Sequence, residues 1–298
     1  MAMVDDNLIL ALFCDFENIA LGVRDAKYAK FDIRRVLERL LVKGPIVVKK
    51  AYCDWDRYKE FKEQMHEAAF ELIEIPHLRQ SGKNSADIRM VVDALDLCYT
   101  KAHVDTFVII SGDSDFSPLV SKLRENAKTV IGVGVKNSTS DLLIRNCDEF
   151  IFYDDLVREQ ENSRRKRRRP AAKKSEPAAA EPAASAEAQS PAEVAAAPEA
   201  LLPAGTGKAK DEDRVQVAID LVIETADAMH SARGEEGTLW GSMIKQALKR
   251  RRPEFNESYY GVRSFNKLLE EAQARGQLDL ELDERSGGYI VRRIAHEE

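Results

Sequence analysis

Cysteine, tryptophan and histidine are all scarce, with 4, 2 and 5 among 298 residues. Cys14, Cys53, Cys98 and Cys147 stand singly, which excludes a disulfide framework and a zinc knuckle built on paired ligands. That usage fits a reducing compartment, and a cytoplasmic protein is expected. His66, His77 and His103 are isolated, and no Ser, His, Asp arrangement is legible. Apolar runs stop well short of the roughly 18 residues a membrane span requires. Met1 to Asn7 carries acids where an export signal would carry bases, so no membrane partner is expected. A phosphate loop of the glycine-lysine-serine type is missing. Gly132 and Gly134 open like a dinucleotide fingerprint, but the third glycine is absent and the pair lies within an apolar run rather than after it. Nor is there a global excess of positive charge. The 45 Lys and Arg against 51 Asp and Glu leave −6, so any contact with a polyanion must come from local basic patches.

The chain does hold short apolar runs that end in acids. Thr106 to Ile110 is β-branched, too short for a helix of its own, and reads as a strand buried on both faces. It leads into Ser111-Gly112-Asp113-Ser114-Asp115-Phe116, and Pro118 then suits the first turn of a helix carrying Leu119, Val120 and Leu123. Gly112 permits a backbone conformation or close approach that a side chain would hinder. Leu8 to Phe13 is a second buried strand and ends in Cys14-Asp15-Phe16-Glu17-Asn18. If the two strands are parallel neighbours, Asp15, Asp113 and Asp115 converge at one edge of the sheet, where ligands bind in open α/β sheets. The plainer alternative is that Ser114 or Asp115 only caps the following helix, although a cap needs one acid and not two. Ser85 to Tyr99 is helical, with Asp87, Val91, Ala94, Leu95 and Cys98 on the inward face and Asp93 and Asp96 off it, solvated. Asp87 can instead serve the free amides of its own helix. Phe70 to Ile75 alternates as a half-exposed edge strand would. Strand and helix alternate as far as Tyr153, which predicts an α/β three-layer sandwich on a mostly parallel sheet.

Composition then changes. Arg164 to Arg169 is densely cationic, and Ala, Pro and Glu dominate as far as about Lys210, so residues 159–210 read as a disordered basic, then Ala/Pro/Glu-rich, linker. Such a run suits a polyanion such as RNA, or serves only as a solubilising spacer. Helical periodicity returns from Asp211, and Leu278 to Leu282 and Tyr289 to Val291 flank a glycine turn. Helices followed by a two-stranded wing predict a small winged-helix (α+β) domain over 211–298.

Asp15, Asp87, Asp113 and Asp115 raise one another's pKa if they meet, and a divalent cation resolves that conflict. Oxygen ligands without Cys or His select Mg2+ or Mn2+. Such an ion suits phosphodiester hydrolysis. Asn18 and Lys83 could then hold phosphate oxygens, with Ser111 beside them as a substrate-binding residue.

Asp15 with Asn18, Lys83 with Asp87, and the run from Ser111 to Phe116 followed by Pro118-Leu119 resemble the NYN domain, in its bacterial LabA-like branch of the PIN-like nuclease superfamily. Gly132-Val133-Gly134 and Cys147 to Ile151 are also similar to that family, and the likeness covers about residues 6–158. It implies a Rossmann-like PIN/NYN sandwich, a Mg2+ or Mn2+ site and endoribonuclease activity, with Asp15, Asp87, Asp113 and Asp115 as metal-binding and catalytic acids. One departure is Asn126-Ala127-Lys128, whose middle position is often glycine in relatives. Asn126 is expected to take the left-handed conformation instead. The tail, with Trp240, Pro253, Phe255, Tyr260-Gly261, Phe265, Leu268-Leu269 and Gly287-Gly288-Tyr289, is similar to the OST-HTH or LOTUS domain, which implies RNA binding. There, Lys245, Lys249, Arg250, Arg251, Arg252, Arg263 and Lys267 are candidate phosphate contacts, or simply a solvated basic face. RNA is thus the expected partner, and self-association into a homo-oligomer stays open. The alternative to a ribonuclease is an RNA-binding adaptor with a weak or silent site. A phosphatase with Asp15 as nucleophile is disfavoured because Glu17 stands where a second aspartate is needed.

Overall fold

The structure is a computed structural model and describes residues 8–75, 85–168, 207–233, 238–283 and 287–292. Lys83, His77 and the segment 169–206 lie outside the described residues.

Strands β1 (Leu10–Asp15), β2 (Ile46–Cys53), β3 (Glu71–Glu74), β4 (Thr106–Ile110), β5 (Thr129–Gly134) and β6 (Glu149–Phe152) form one sheet in the order β3-β2-β1-β4-β5-β6, with every neighbouring pair parallel. Alternation along each strand divides its side chains between two cores. Leu10, Leu12 and Cys14 of β1 join Val108 and Ile110 of β4 on one face, while Ala11 and Phe13 join Phe107 and Ile109 on the other. The first face is covered by helices α1 (Phe16–Asp25), α2 (Ile33–Leu41) and α3 (Lys59–Glu67), which contribute Phe16, Ile19, Val36, Leu40, Phe61 and Met65. The second face is covered by α4 (Ser85–Thr100), α5 (Ser117–Glu125) and α6 (Asp141–Asn146), which contribute Met90, Ala94, Val120, Leu123 and Leu143. Burial on both faces is why the β1 and β4 runs are continuously apolar. The expected three-layer α/β sandwich is the observed one. The short, half-exposed β3 lies at the edge, as its alternation predicts.

Gly132 and Gly134 have a packing role. A Cβ on Gly132 would come within 2.3 Å of the Phe150 ring, so the glycine makes room for an aromatic from β6. The left-handed residue after α5 is not Asn126, which has φ −90°, but Ala127, with φ 56°. The expectation for Asn126 is thereby corrected.

Helix α7 (Tyr153–Arg168) packs Tyr153 and Leu156 against the first core and continues past residue 158. The cationic run thus begins on a helix, where composition alone predicted a linker. Helices α8 (Gly207–Arg233), α9 (Gly241–Arg251) and α10 (Phe265–Ala274) enclose a separate core of Ile219, Val222, Ile244, Leu248, Leu268 and Leu269. Antiparallel β7 (Asp279–Leu282) and β8 (Tyr289–Arg292) complete this helical module with the expected wing. It touches the edge strand β6, where the Phe150 N–H donates to the Pro253 carbonyl at 3.0 Å.

Among the described residues, no helix is long and apolar enough to cross a membrane. All four cysteines are free and buried.

Ala127 is exposed, so its methyl contributes little packing while its backbone sits where a Cβ is disfavoured. Ala127→Gly is expected to stabilise the protein by about 0.5–1 kcal/mol, the relief of strain less the entropy glycine adds to the unfolded chain. Thermal unfolding should register a rise of roughly 1–4 °C.

Candidate functional site

β1 and β4 are adjacent, and here the sheet order reverses, so the loops after them open a crevice at their carboxyl ends. Asp15 is the last residue of β1 and is only 8% exposed. Its carboxylate accepts the Asn18 N–H at 3.3 Å, capping α1, and the Ser111 hydroxyl at 3.0 Å. Ser111 Oγ in turn accepts the Asp113 N–H at 3.2 Å, and Asn18 Oδ1 accepts the Gly112 N–H at 2.8 Å. Two short chains of hydrogen bonds therefore tie the end of β1 to the loop after β4. Asp113 caps the 3-10 turn Ser114–Phe116 by accepting the Asp115 N–H at 3.0 Å. Capping thus falls to Asp113 and Asp15, not to Ser114 or Asp115.

Gly112 is required by a close approach. A Cβ there would stand 2.5 Å from the Ser138 carbonyl oxygen, on the loop whose Ser140 N–H donates back to the Gly112 carbonyl at 2.9 Å.

Asp15, Asp87 and Asp113 line one pocket of about 370 Å³ together with Asn18. Asp115 is exposed and does not line it, although its charge still reaches Asp87. Burial, then the Asp87 charge, push the Asp15 carboxyl up to about 7, against the opposing effect of the Asn18 and Ser111 hydrogen bonds. Burial, then the Asp113 and Asp115 charges, push Asp87 up to about 6. Ser111 corrects an expectation. It is 0% exposed, so it orients Asp15 and Asp113 from beneath and offers nothing to a substrate. Asn18 likewise uses its side-chain oxygen on the loop backbone.

Glu17, Asp54 and Arg57 also line the pocket, and the sequence reading did not select them. Asp54 follows β2 as Asp15 closes β1, so the signal of an acid ending a strand was present. Arg57 holds Glu17 at 3.3 Å. Asp93 also departs from expectation. Its side chain is 13% exposed and accepts the Tyr52 hydroxyl at 2.8 Å, with Lys50 at 3.5 Å and Arg89 at 3.0 Å. It thereby fixes Tyr52, another pocket wall.

Among the described residues, no three His, Cys, Asp or Glu are drawn together tightly enough to form a closed metal cage. The carboxylates nevertheless fit a hard divalent cation that keeps most of its waters, since Mg2+ relies on only one or two of them. Their mutual repulsion is the property such an ion relieves.

In the helical module the candidate cations part company. Lys249 faces Glu149 of β6 at 3.8 Å, a carboxylate that also accepts Lys43 at 2.7 Å. Burial alone would raise the Glu149 pKa, but the Lys249 and Lys43 charges outweigh it and hold it below the usual range. Lys245 pairs with Glu257, Arg251 with Glu224, Arg252 with Glu254 and Lys267 with Glu270. Arg250 and Arg263 are exposed.

Residues 9–154 match the family described as the NYN domain. That segment is an NYN domain. Over 148 residues the chain is 27% identical to Meiosis regulator and mRNA stability factor 1 of Xenopus tropicalis, which takes in 50% of this chain and 9% of that protein. It is 26% identical over 126 residues to an uncharacterized protein of Methanocaldococcus jannaschii, covering 42% of this chain and 49% of that one. The chain therefore spans less than a tenth of the first relative's length and about half of the second's. A crystal structure of a protein of unknown function from Vibrio parahaemolyticus is 26% identical, with a TM-score of 0.46, over 52% of this chain and 98% of that chain. NYN domains belong to the PIN-like nucleases, and in this NYN domain the acids stand at the switch point of the sheet.

The upward shifts of Asp15 and Asp87 have a sign. The folded chain favours their neutral forms, so both contribute stability that is fully present below the ordinary value of 3.8 and lost as pH rises through about 6 and about 7. In EDTA, the thermal midpoint is expected to fall by several degrees between pH 5 and pH 8. Asp15→Asn, which keeps an acceptor for Ser111 and Asn18, should flatten most of that fall. An undiminished fall in the variant would locate the dependence in other groups.

Proposed function

We propose that this chain is a metal-dependent endoribonuclease of the LabA-like branch, whose NYN domain hydrolyses RNA phosphodiester bonds at Asp15, Asp87, Asp113 and Asp115. One observation carries the reading: acids from three separate parts of the chain line a single pocket at the carboxyl ends of β1 and β4. Asp15, Asp87 and Asp113, with Asp115 close enough for its charge to act on Asp87, would hold Mg2+ or Mn2+. When bound, such a cation supplies the charge that offsets the build-up of negative charge on a phosphodiester and makes water a better nucleophile.

The chain's own residues divide the remaining work. Ser111 and Asn18 hold Asp15 and the acidic loop in register before substrate arrives, so little reorganisation is left for the reaction. Asp87 is half-buried beside other acids, whose charges favour a cation next to it. Lys83 belongs to this reading as a phosphate contact, with Arg57 as a second cation at the pocket. The helical module, read as an OST-HTH or LOTUS domain, would recruit RNA through Arg250 and Arg263, assisted by the cationic run that begins on α7.

The test is cleavage of a mixed panel of single-stranded and structured RNAs by the full chain in Mn2+, Mg2+ or EDTA. Cleavage is expected in either metal and none in EDTA. Asp113→Asn should lower the rate at least about 100-fold while leaving RNA affinity within about twofold. Binding without cleavage in any metal would overturn the enzyme and leave the adaptor.

A further inference from the structure

A second cavity of about 310 Å³ adjoins the acidic pocket, and Leu21 and Arg57 line both. Its character is the reverse of its neighbour's. Tyr28 and Tyr58 present aromatic surface, Arg24 and Lys30 bring positive charge, and Lys30 Nζ stands 5.0 Å from the centre of the Phe61 ring. Glu60 is the acid among its lining residues. Arg24 pairs at 3.4 Å with its exposed neighbour Asp25, an interaction weak enough in water to be exchanged for a phosphate. Arg57 stands at the divide, half-exposed and held by Glu17.

Resting on the ribonuclease reading above, we infer that this cavity is the subsite for the nucleotide next to the cleaved bond and that it takes single-stranded RNA. A strand whose reacting phosphate lies among carboxylates must carry its next phosphate away from them, because the chain is acidic overall and the acidic pocket repels polyanions. The Arg57 side of the pocket is where that strand meets cations next to aromatic rings. Ring surface and cations together are how single strands are held without sequence readout, and a base can use the ring faces only when it is unpaired. The groove therefore selects single-stranded RNA over duplex. Arg57 holds the phosphate at the divide, Tyr58 and Tyr28 receive the base, and Lys30 and Arg24 receive the phosphate beyond it.

Photocrosslinking with peptide mapping tests this on the full chain. The protein is Asp113→Asn, and the probe is a short single-stranded RNA bearing 4-thiouridine, compared with the same RNA annealed to its complement. Crosslinks are expected in the peptides holding Tyr28 and Tyr58, from the single strand only. Lys30→Gln and Tyr58→Leu, made in the cleaving protein, should each raise KM for single-stranded RNA about fivefold to tenfold with kcat within about twofold. Lys30 is exposed, so its variant remains informative if Tyr58→Leu fails to fold. Crosslinks confined to the helical module, or equal crosslinking of duplex, would overturn the subsite even with cleavage intact. Crosslinking does not require turnover, so loss of the nuclease reading would show separately, as crosslinks at Tyr28 and Tyr58 without cleavage in any metal.

Discussion

The parallel pairing of β1 with β4 is the constraint on which the rest depends. The two strands are separated by the chain from Phe16 to Asp105, yet Leu10 stands opposite Thr106 and Cys14 opposite Ile110. That register brings Asp15 level with the start of the acidic loop, so that Ser111 can donate to it and Asn18 can receive the Gly112 amide. A slip of one residue would turn Phe13 and Ile109 toward the wrong core as well as separating the acids. Burial in two cores therefore fixes the position of the carboxylates, and the site inherits its precision from the sheet.

That precision works against electrostatic comfort. Asp15 and Asp87 are held where burial and neighbouring acids both favour the neutral carboxyl, and only two hydrogen bonds to Asp15 oppose this. Local consistency elsewhere in the domain makes such a conflict informative. Strands are apolar where they are buried, Gly132 is small where Phe150 needs room, and Asp15 and Ser140 cap α1 and α6. A fold whose packing is consistent elsewhere and which gathers acids at one crevice is storing repulsion that a cation can relieve.

Much of this was legible in the sequence because strand-ending acids and period-2 burial are local signals. Asp15, Asp113 and Asp87 could be placed by noting which runs are buried and which helix face turns inward. What stayed hidden depends on contacts between distant residues. Asp93 looks solvated on its own helix, and only the approach of Lys50 and Tyr52 from β2 makes it a partly buried hub. Ser111 belongs to the acidic motif, but its hydroxyl lies wholly beneath the loop, a depth no motif encodes. Ala127 takes the left-handed conformation usually left to glycine because the turn into β5 is set by the strand's register, with Lys128 N–H reaching back to the Leu123 carbonyl at 3.1 Å. Asp54 is different: the rule that found Asp15 applies to it unchanged once β2 is known to neighbour β1.

Charge is zoned rather than abundant, and that decides where a polyanion can lie. Lysines and arginines of the helical module look numerous in sequence, but Lys245, Lys249, Arg251, Arg252 and Lys267 each have a carboxylate partner. Lys249 is engaged within the chain, facing Glu149 on the sheet edge. An exposed pair is weak enough to open for a phosphate, whereas a half-buried one such as Lys249 with Glu149 loses more when it opens. The cations that can meet a polyanion at least expense are therefore the exposed ones: Arg250, Arg251, Arg252, Arg263 and Lys267 in the module, and Arg24, Lys30 and Arg57 beside the acids. They fall into two groups on separate parts of the chain, so a polyanion would meet the module and the crevice through different surfaces.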